Sequence, residues 1–167
     1  MSTEENHPVA PAFREVMAAV CTPVSVITGL DDGVPHGTTV SAFASLSMAP
    51  PMVLVSLDRG SDLLALVRRT GLLGVNVLGS GQSELATQCA RKGADKFTDV
   101  AWELHAGVPR IAGAAGFLGC TVAGLVPGGD HVIVLGDVVA AETVADAPLT
   151  YHGRVFGTHF ALEGVTR

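Results

Sequence analysis

The sequence predicts a mainly β fold, an antiparallel β-barrel with a few short helices. Short β-branched runs recur along the chain and are separated by hairpin turn signals, such as Asp31-Asp32-Gly33 and the PGGD run at 127–130. Only three short stretches carry apolar residues at helical spacing. A Rossmann domain is disfavoured because no GxGxxG run follows a strand and precedes a helix, and no P-loop occurs either. The hairpin spacing favours a closed or nearly closed barrel.

The N-terminal part of the chain is predicted to form an arm, a helix and a hairpin. Residues 1–9 are polar and acidic and indicate a disordered arm, which leaves 10–167 as one domain. The apolar residues that follow have helical spacing and predict a short amphipathic helix that covers the core; they are Phe13, Val16, Met17 and Val20. A β-branched run at 23–30 predicts a strand that pairs across the 31–33 turn with the next extended segment.

The middle of the chain is predicted to alternate strands with helices. Residues 51–57 are continuously apolar, which predicts a strand buried on both faces. Ser61 is placed to cap a short helix that Gly71 ends, after which 72–78 return as a strand.

The rest of the chain begins with a further predicted helix at 82–92. Its basic end suits the helix dipole, and Gly93 is placed to close it. Residues 94–116 have little periodicity and predict a long irregular stretch that carries function. The last third predicts three strands, at 117–126, 131–144 and 154–162.

The composition favours a single domain that binds a small ligand. The chain has 167 residues, of which 48% are hydrophobic and only 16% charged, so we expect another subunit to cover part of its apolar surface. The net charge of −6 argues against a nucleic-acid partner. The basic residues are scattered, except for a local group of Arg91, Lys92 and Lys96, which suits one small anion.

Cysteine usage and hydropathy predict a cytoplasmic protein. Cys21, Cys89 and Cys120 are widely spaced and show no CxxC or zinc-type spacing, so neither a disulfide framework nor a metal site is expected. The N-terminal stretch lacks the basic and apolar regions of a signal peptide, and no apolar run is long enough to span a membrane. We therefore expect no membrane partner.

The stretch at 36–51 crowds small donors into an otherwise strand-like segment. These donors are Gly37, Thr38, Thr39, Ser41, Ser45 and Ser47. Val40, Phe43 and Leu46 alternate with them well enough to hold the segment against a core. The pattern favours a cradle for a phosphate or a planar polar ring. The alternative is the solvent face of an ordinary antiparallel strand, where threonine and serine are common.

Two further motifs are candidates for ligand contacts. Asp130-His131 precedes a β-branched run, which places a carboxylate and an imidazole at a barrel rim; a capped turn with a solvated histidine is the alternative. Lys96-Phe97 pairs a cation with an aromatic ring, as phosphate binding and ring stacking require, although a loop salt bridge with an apolar anchor also explains it. A hydrolase is a weak interpretation because the serines lack a GxSxG context.

Taken in order, five segments resemble the flavin reductase-like domain family, whose fold is the FMN-binding split barrel. They are GTTVSAFASLSMAPPMVLVSL, SDLLALVRRTGLLGVNVL, QSELATQCARKGADKF, GDHVIVLGDV and PLTYHGRVFG. The resemblance covers about residues 10–160 and is closest to the small NAD(P)H:flavin oxidoreductase components of two-component flavin monooxygenases, including those of antibiotic biosynthesis. It implies a homodimer with flavin in a groove at the subunit interface.

The resemblance also implies roles for individual residues. Main-chain groups would contact the isoalloxazine ring at Thr39, Val40, Ser41 and Ala42. The residues toward the ribityl chain and phosphate would be Ser45, Ser47, Ser56 and Ser61, with Lys96 and Phe97 closing the site. His131 would be the catalytic residue and would contact the nicotinamide nucleotide together with Tyr151 and Arg154. Phe156 stands where the family commonly has a tyrosine, which puts a hydroxyl role at that position in doubt.

The implied reaction is hydride transfer from NADH or NADPH to FMN, with FAD as a possible substitute. Reduced flavin would then leave for a partner monooxygenase. Two other classes remain open from the residues alone. One is a tailoring enzyme or oxidase of the same fold that keeps its flavin. The other is a non-catalytic module that holds flavin, haem or a partner protein.

Overall fold

A computed structural model describes residues 7–93, 95–144 and 146–162. Within these ranges the helices are α1 (Ala10–Ala18), α2 (Asp62–Thr70) and α3 (Ser83–Ala90). The strands before α3 are β1 (Thr22–Pro23), β2 (Ser25–Asp31), β3 (Val34–Val40), β4 (Phe43–Met48), β5 (Pro51–Asp58) and β6 (Leu72–Val77). Those after it are β7 (Trp102–His105), β8 (Val108–Ile111), β9 (Gly116–Gly128), β10 (His131–Thr143), β11 (Leu149–His152) and β12 (Val155–Thr158). Residues 1–6 of the predicted arm lie outside the described residues.

Seven antiparallel strands form the main sheet, in the order β3-β2-β6-β9-β10-β5-β4. The two edge strands, β3 and β4, are consecutive in the chain and are joined only by Ser41 and Ala42. So short a connection requires the sheet to curl until its edges approach each other. The predicted mainly β barrel is therefore confirmed. The place where the unpaired edges of β3 and β4 approach each other, at Ser41 and Ala42, is here called the barrel seam.

Two apolar clusters occupy opposite faces of the main sheet. The first fills the barrel with residues such as Ile27, Val55 and Leu64. The second includes Val26 and Ile111 and lies under α3. Adjacent residues of β2, Val26 and Ile27, belong to different clusters because successive side chains of a strand point to opposite faces. The sheet thus holds α2 and α3 at fixed places around the barrel.

The local signals for α2 and for the hairpins are confirmed. The Ser61 hydroxyl accepts a hydrogen bond from the Leu64 N–H at 3.0 Å, and Gly71 ends the helix in the left-handed region at φ 68°. Strands β2 and β3 pair across the predicted turn, with Asp31 opposite Val34. Strands β9 and β10 pair across the PGGD turn, with Gly128 opposite His131.

The prediction that the N-terminal helix covers the core is wrong for this chain. Helix α1 has no buried residue, and its apolar side chains Phe13 and Val16 are 61% and 64% exposed. The helix instead contacts the β11–β12 hairpin, where Arg154 Nη2 lies 2.5 Å from Glu15 Oε1 and the Gly153 N–H donates to the Ala18 carbonyl. Its apolar stripe therefore faces away from the barrel.

Three other expectations are corrected. Strand β5 is not buried on both faces: Val53, Val55 and Leu57 point into the barrel, whereas its alternate residues are only half-buried. Helix α3 ends at Ala90, and Arg91 is already extended, so neither a basic last turn nor a Gly93 cap exists. The predicted strand at 154–162 is shorter, because β12 ends at Thr158.

The segment predicted to be irregular at 94–116 contains a hairpin. Strands β7 and β8 pair with His105 opposite Val108, across a turn in which Ala106 and Gly107 both have positive φ. Asparagine or aspartate normally precedes glycine in such a turn, and alanine hides that signal. Pro109 in β8 further obscured the strand. Only the residues around this hairpin keep the irregular character that was expected.

None of the helices in the described ranges is both long and apolar enough to cross a membrane.

Candidate functional site

The residues predicted to contact a planar ring lie at the barrel seam. Thr39 and Val40 end the edge strand β3, and Ser41 and Ala42 form the exposed connection to β4. Among the described residues, neither backbone N–H of the Ser41-Ala42 pair donates to a backbone carbonyl. The Ala42 carbonyl accepts from the Ser56 N–H at 3.0 Å, which fixes the connection to β5. The seam therefore presents backbone donors on a fixed support.

The side chains of Thr39 and Val40 are used by the fold. The Thr39 hydroxyl donates to the Ala86 carbonyl of α3 at 2.7 Å, and Val40 packs against the barrel core. Both side chains are thus already engaged within the fold, and main-chain contact of these two residues with a ligand stays a prediction.

The serines predicted to face the ribityl chain and phosphate lie on two neighbouring strands. Ser45 and Ser47 belong to β4, and a bulge between them shifts the pairing with β5. Ser56 lies on β5, opposite Ile133 of β10. None of the three lines either of the two cavities described below. Their contact with a ligand stays a prediction.

A cavity of about 400 Å³, here called the smaller cavity, lies between β3 and the N-terminus of α2. Its polar lining side chains are His36, Thr38, Asp58, Ser61, Asp62, Arg91, Lys92 and Lys96. Three of these are cations that come from beyond α3, and Ser61 caps the positive end of the α2 dipole. Such a set of donors fits a phosphate group, although the two aspartates on the rim reduce the net positive charge.

Lys96 lines this cavity, and the next residue, Phe97, packs on β3. The Lys96 ammonium donates to the Gly37 carbonyl at 3.1 Å. The Phe97 ring lies so close to Gly37 that a β-carbon at that position would be 2.9 Å from its Cε2 atom. Glycine is therefore required at 37 for the ring to pack on the strand. Ser61 and Lys96 thus line the same cavity, whereas Phe97 packs on Gly37 and is not among the lining residues.

A second cavity, here called the larger cavity, has a volume of about 630 Å³. It lies against α3 and the end of β8, and it shares Arg91, Lys92, Gly93 and Lys96 with the smaller cavity. Size alone would favour it as the main site. Yet the smaller cavity is lined by residues of β3 and by Ser61, which are among the residues that the sequence singled out.

His131 begins β10 at the tip of the β9–β10 hairpin. Its Nδ1 atom lies 2.8 Å from Asp130 Oδ1, and in the sheet it stands opposite Asp58, which lines the smaller cavity. The Asp130 carbonyl accepts from the Arg59 N–H at 3.0 Å. The hairpin tip is thus held beside the loop that precedes α2. A carboxylate on one ring nitrogen fixes the orientation of the imidazole and leaves Nε2 as the other polar atom.

Tyr151 and Arg154 lie in a separate sheet, formed by β1, β11 and β12. The Tyr151 ring contacts the Phe156 ring at a centroid distance of 5.3 Å. Arg154 has φ 65° in the hairpin turn and pairs with Glu15, which lowers the pKa of that carboxyl mainly through their hydrogen bond. The structure therefore does not place Tyr151 or Arg154 in either cavity. Their nicotinamide contact stays a prediction.

The two cysteines at positions 89 and 120 are buried and unreactive. Burial raises the pKa of the Cys89 thiol, and the nearby Lys96 ammonium only partly opposes that shift. Burial, followed by the Asp137 carboxylate, raises the pKa of Cys120 to about 11. Both thiols therefore stay protonated near neutral pH, so neither serves as a nucleophile.

Several site residues were not predicted as ligand contacts. Arg91 and Lys92 were recognised only as part of a basic group, and His36 and Asp58 were not singled out. The signal that could have found the first two is their position directly after a helix, beside Lys96. No local pattern points to Asp58, because β5 and β3 meet only through the fold of the sheet.

The chain is similar to known proteins both in sequence and in fold. The sequence profile described as flavin reductase like domain matches residues 17–159. The chain is 40% identical to the reductase component of a 4-nitrophenol 4-monooxygenase/4-nitrocatechol 2-monooxygenase from Rhodococcus opacus, over 89% of this chain and 80% of that protein. It is 41% identical to the actinorhodin polyketide dimerase of Streptomyces coelicolor, over 86% and 83% of the two chains.

A solved structure has the same fold. It is the Streptomyces globisporus NADH:FAD oxidoreductase SgcE6, in complex with NAD and FAD fragments. The two chains superpose with a TM-score of 0.87 and 32% identity, over 95% of this chain and 98% of that one. The profile match and these relatives span nearly the whole barrel. The chain therefore belongs to the flavin reductase like domain family.

Proposed function

We propose that this protein is an NAD(P)H:flavin oxidoreductase that reduces FMN or FAD and supplies the reduced flavin to a partner monooxygenase. The main support for the proposal is that β3 connects two parts of the candidate site. This strand runs from the basic smaller cavity at Pro35–Thr38 to the exposed backbone of Ser41 and Ala42. Thr38 and Ser41 are about 10 Å apart along an extended strand, so one strand can serve the phosphate and the ring of the same molecule.

The residues present fit a flavin. Lys96, Arg91, Lys92 and the Ser61 hydroxyl would hold the phosphate in the smaller cavity. Backbone N–H groups at Ser41 and Ala42 would donate to the polar edge of the ring and favour negative charge there. The hydride chemistry itself belongs to the flavin and the nicotinamide. The chain contributes binding, orientation and electrostatic stabilisation.

The relatives support the same reaction class. The Rhodococcus opacus protein is the reductase component of a monooxygenase, and the Streptomyces globisporus protein is an NADH:FAD oxidoreductase. A partner oxygenase and a nicotinamide donor are therefore part of the proposal for this chain, together with a cytoplasmic location.

Anaerobic mixing with FMN and NADH tests this function. Loss of the visible flavin absorbance, with the reduced flavin passing an ultrafiltration membrane, is the expected result. Bleaching of a flavin that stays with the protein would contradict the supply of free flavin. Binding without bleaching would contradict the reductase function altogether and indicate a binding module.

A second candidate is a tailoring enzyme that keeps its flavin and acts on an organic substrate. It is favoured by one observation, the 41% identity to a protein named for polyketide dimerisation. A purified protein that is yellow and consumes little NADH would support this candidate over the first.

We propose that His131 contacts the nicotinamide nucleotide. His131→Ala is then expected to lower kcat/KM for NADH about tenfold and to leave the Kd for FMN unchanged, since the imidazole stands at the rim and not in the smaller cavity. Steady-state kinetics and FMN titration measure the two quantities. His7→Ala is a matched control because His7 is also exposed but precedes α1. Unchanged kcat and KM for NADH in His131→Ala would remove the assignment.

We propose that the protein is a homodimer. Support comes from the exposed apolar side chains of α1 and β12, among them Phe13, Val16, Val155 and Phe156, in a chain with few charges. Sedimentation equilibrium should give twice the mass of the chain. Phe13→Glu should shift the equilibrium toward the single chain, whereas Val34→Glu, an exposed β3 position outside this apolar surface, should not. A monomeric parent protein would contradict the proposal.

A further inference from the structure

The larger cavity has no role in the proposed binding of a flavin phosphate and ring. It nevertheless adjoins the smaller cavity, because Arg91, Lys92, Gly93 and Lys96 line both. A ligand whose phosphate meets these cations from one side can therefore continue into the second cavity on the other side. At about 630 Å³, its volume lies in the range of small-molecule sites.

The walls of the larger cavity are held by glutamine side chains. Gln82 accepts from the Gly79 N–H at 3.0 Å and donates to the Ala112 carbonyl at 2.9 Å. Gln88 donates to the carbonyls of Lys96 and Thr98, at 3.0 and 2.9 Å. These bonds connect α3 with the segments on both sides of the opening. The cavity is thus a supported feature of the fold and not a gap between loose loops.

Besides the two glutamines, this cavity is lined by apolar, acidic and basic side chains. Leu85 and Val100 supply an apolar surface and pack against the second core cluster, to which the buried Ile111 belongs. The carboxylates are Glu84, Asp95 and Asp99. The cations are Arg91, Lys92 and Lys96. In the described part of the chain, none of these six charged residues forms an ion pair with another residue.

This combination matches the parts of a nucleotide. An adenine ring stacks on apolar side chains, carboxylates accept from ribose hydroxyls, and cations bind phosphate. The carboxylates also disfavour a ligand with an additional phosphate on the ribose, because like charges repel.

We propose that the larger cavity is an adenylate subsite, so that FAD is bound more tightly than FMN. This inference rests on the proposed flavin reductase function. Arg91, Lys92 and Lys96 would face the pyrophosphate from both cavities, with the riboflavin part along β3 and the adenosine against α3. FMN lacks the adenosine and would leave the larger cavity to solvent.

Isothermal titration of the purified chain with FAD and with FMN tests the proposal. The parent protein should bind FAD about tenfold more tightly than FMN. Ala101→Trp places a large ring in the larger cavity at an exposed position, and it should remove this preference by weakening FAD alone. Ala141→Trp is the matched control, because Ala141 is also exposed but lies in neither cavity. Adenosine and ADP should both compete with FAD, whereas adenosine, which has no phosphate for the shared cations, should not compete with FMN.

The other outcomes overturn the proposal in distinguishable ways. Equal Kd values for FAD and FMN in a parent protein that reduces flavin would remove the subsite and leave the reductase function. Failure to bind either flavin would contradict both the adenylate subsite and the reductase function. Competition of ADP with NADH and not with FAD would assign the cavity to the pyridine nucleotide. Equal weakening of FMN and FAD by Ala101→Trp would show that the cavity does not distinguish the two flavins.

Discussion

Replacing Asn76 with alanine is expected to lower the free energy of unfolding by about 3 to 4 kcal/mol. Asn76 is fully buried in β6. Its Nδ2 donates to the Val26 carbonyl, the Thr28 hydroxyl and the Pro109 carbonyl at 3.2 to 3.3 Å, and its Oδ1 accepts from the Ile111 N–H at 2.7 Å. Alanine would leave the Ile111 N–H buried without this acceptor, at the full cost of desolvation.

Urea unfolding followed by tryptophan fluorescence measures this loss of stability, because the fluorescent residue lies on the hairpin that Asn76 binds. The single tryptophan of the chain, Trp102, lies in β7, on the hairpin that Asn76 ties to the barrel through β8. In Asn76→Ala the fluorescence transition should come at lower urea than in the parent protein. Thr28→Val keeps the shape and removes one hydroxyl, so it should cost only about 1 to 2 kcal/mol. A loss below about 0.5 kcal/mol in Asn76→Ala, the size of a surface substitution, would contradict the account.

Asn76 also shows why part of the fold was beyond sequence reasoning. In the run LLGVNVL it is one polar residue in an apolar strand, and nothing local indicates that it is buried. Its partners on β8 are 33 and 35 residues away, in a segment that was predicted to be irregular. The hairpin itself lacked the usual asparagine or aspartate in its turn. A buried network of this kind is defined by the packed structure and not by periodicity.

The features that were predicted correctly have local causes. Ser61 and Gly71 cap α2 through the conformations of neighbouring residues, and the β2–β3 and β9–β10 turns are set by glycine and aspartate. By contrast, whether α1 covers the core depends on which element lies under it. Its apolar spacing predicted a helix correctly, but no described residue of this chain covers the apolar face of that helix.

At the candidate site, too, local patterns were visible in the sequence and long-range contacts were not. The donors at 39–47 and the pair Lys96-Phe97 were visible as residue types in a pattern. The packing of Phe97 on Gly37 was not, because it joins a strand to a loop 60 residues later. That Lys96 and Ser61 would lie in one site was implied only by the family resemblance. The residue types at the candidate site were therefore visible in the sequence, whereas the shape of the two cavities required the structure.

Lys96→Met is expected to raise the Kd for FMN about 10- to 100-fold, as loss of a charged hydrogen bond to phosphate would do. Methionine keeps the apolar stem but loses the ammonium, which donates to the Gly37 carbonyl at 3.1 Å and lines the smaller cavity. Riboflavin has no phosphate, so its Kd should change by less than about twofold. The ratio of the two Kd values isolates the phosphate from any general loosening of the site.

Arg68→Met is the matched control for Lys96→Met, because it also removes one positive charge but lies in the last turn of α2, outside both cavities. Titrations at two salt concentrations separate a direct contact from the general field, since distant charges are screened within about 10 Å at 0.1 M salt. If Lys96 contacts the phosphate, only its replacement should weaken FMN at high salt. Equal Kd values of the parent protein for FMN and riboflavin would contradict phosphate binding in the smaller cavity. The proposed contact between the flavin ring and the backbone at the end of β3 would be unaffected.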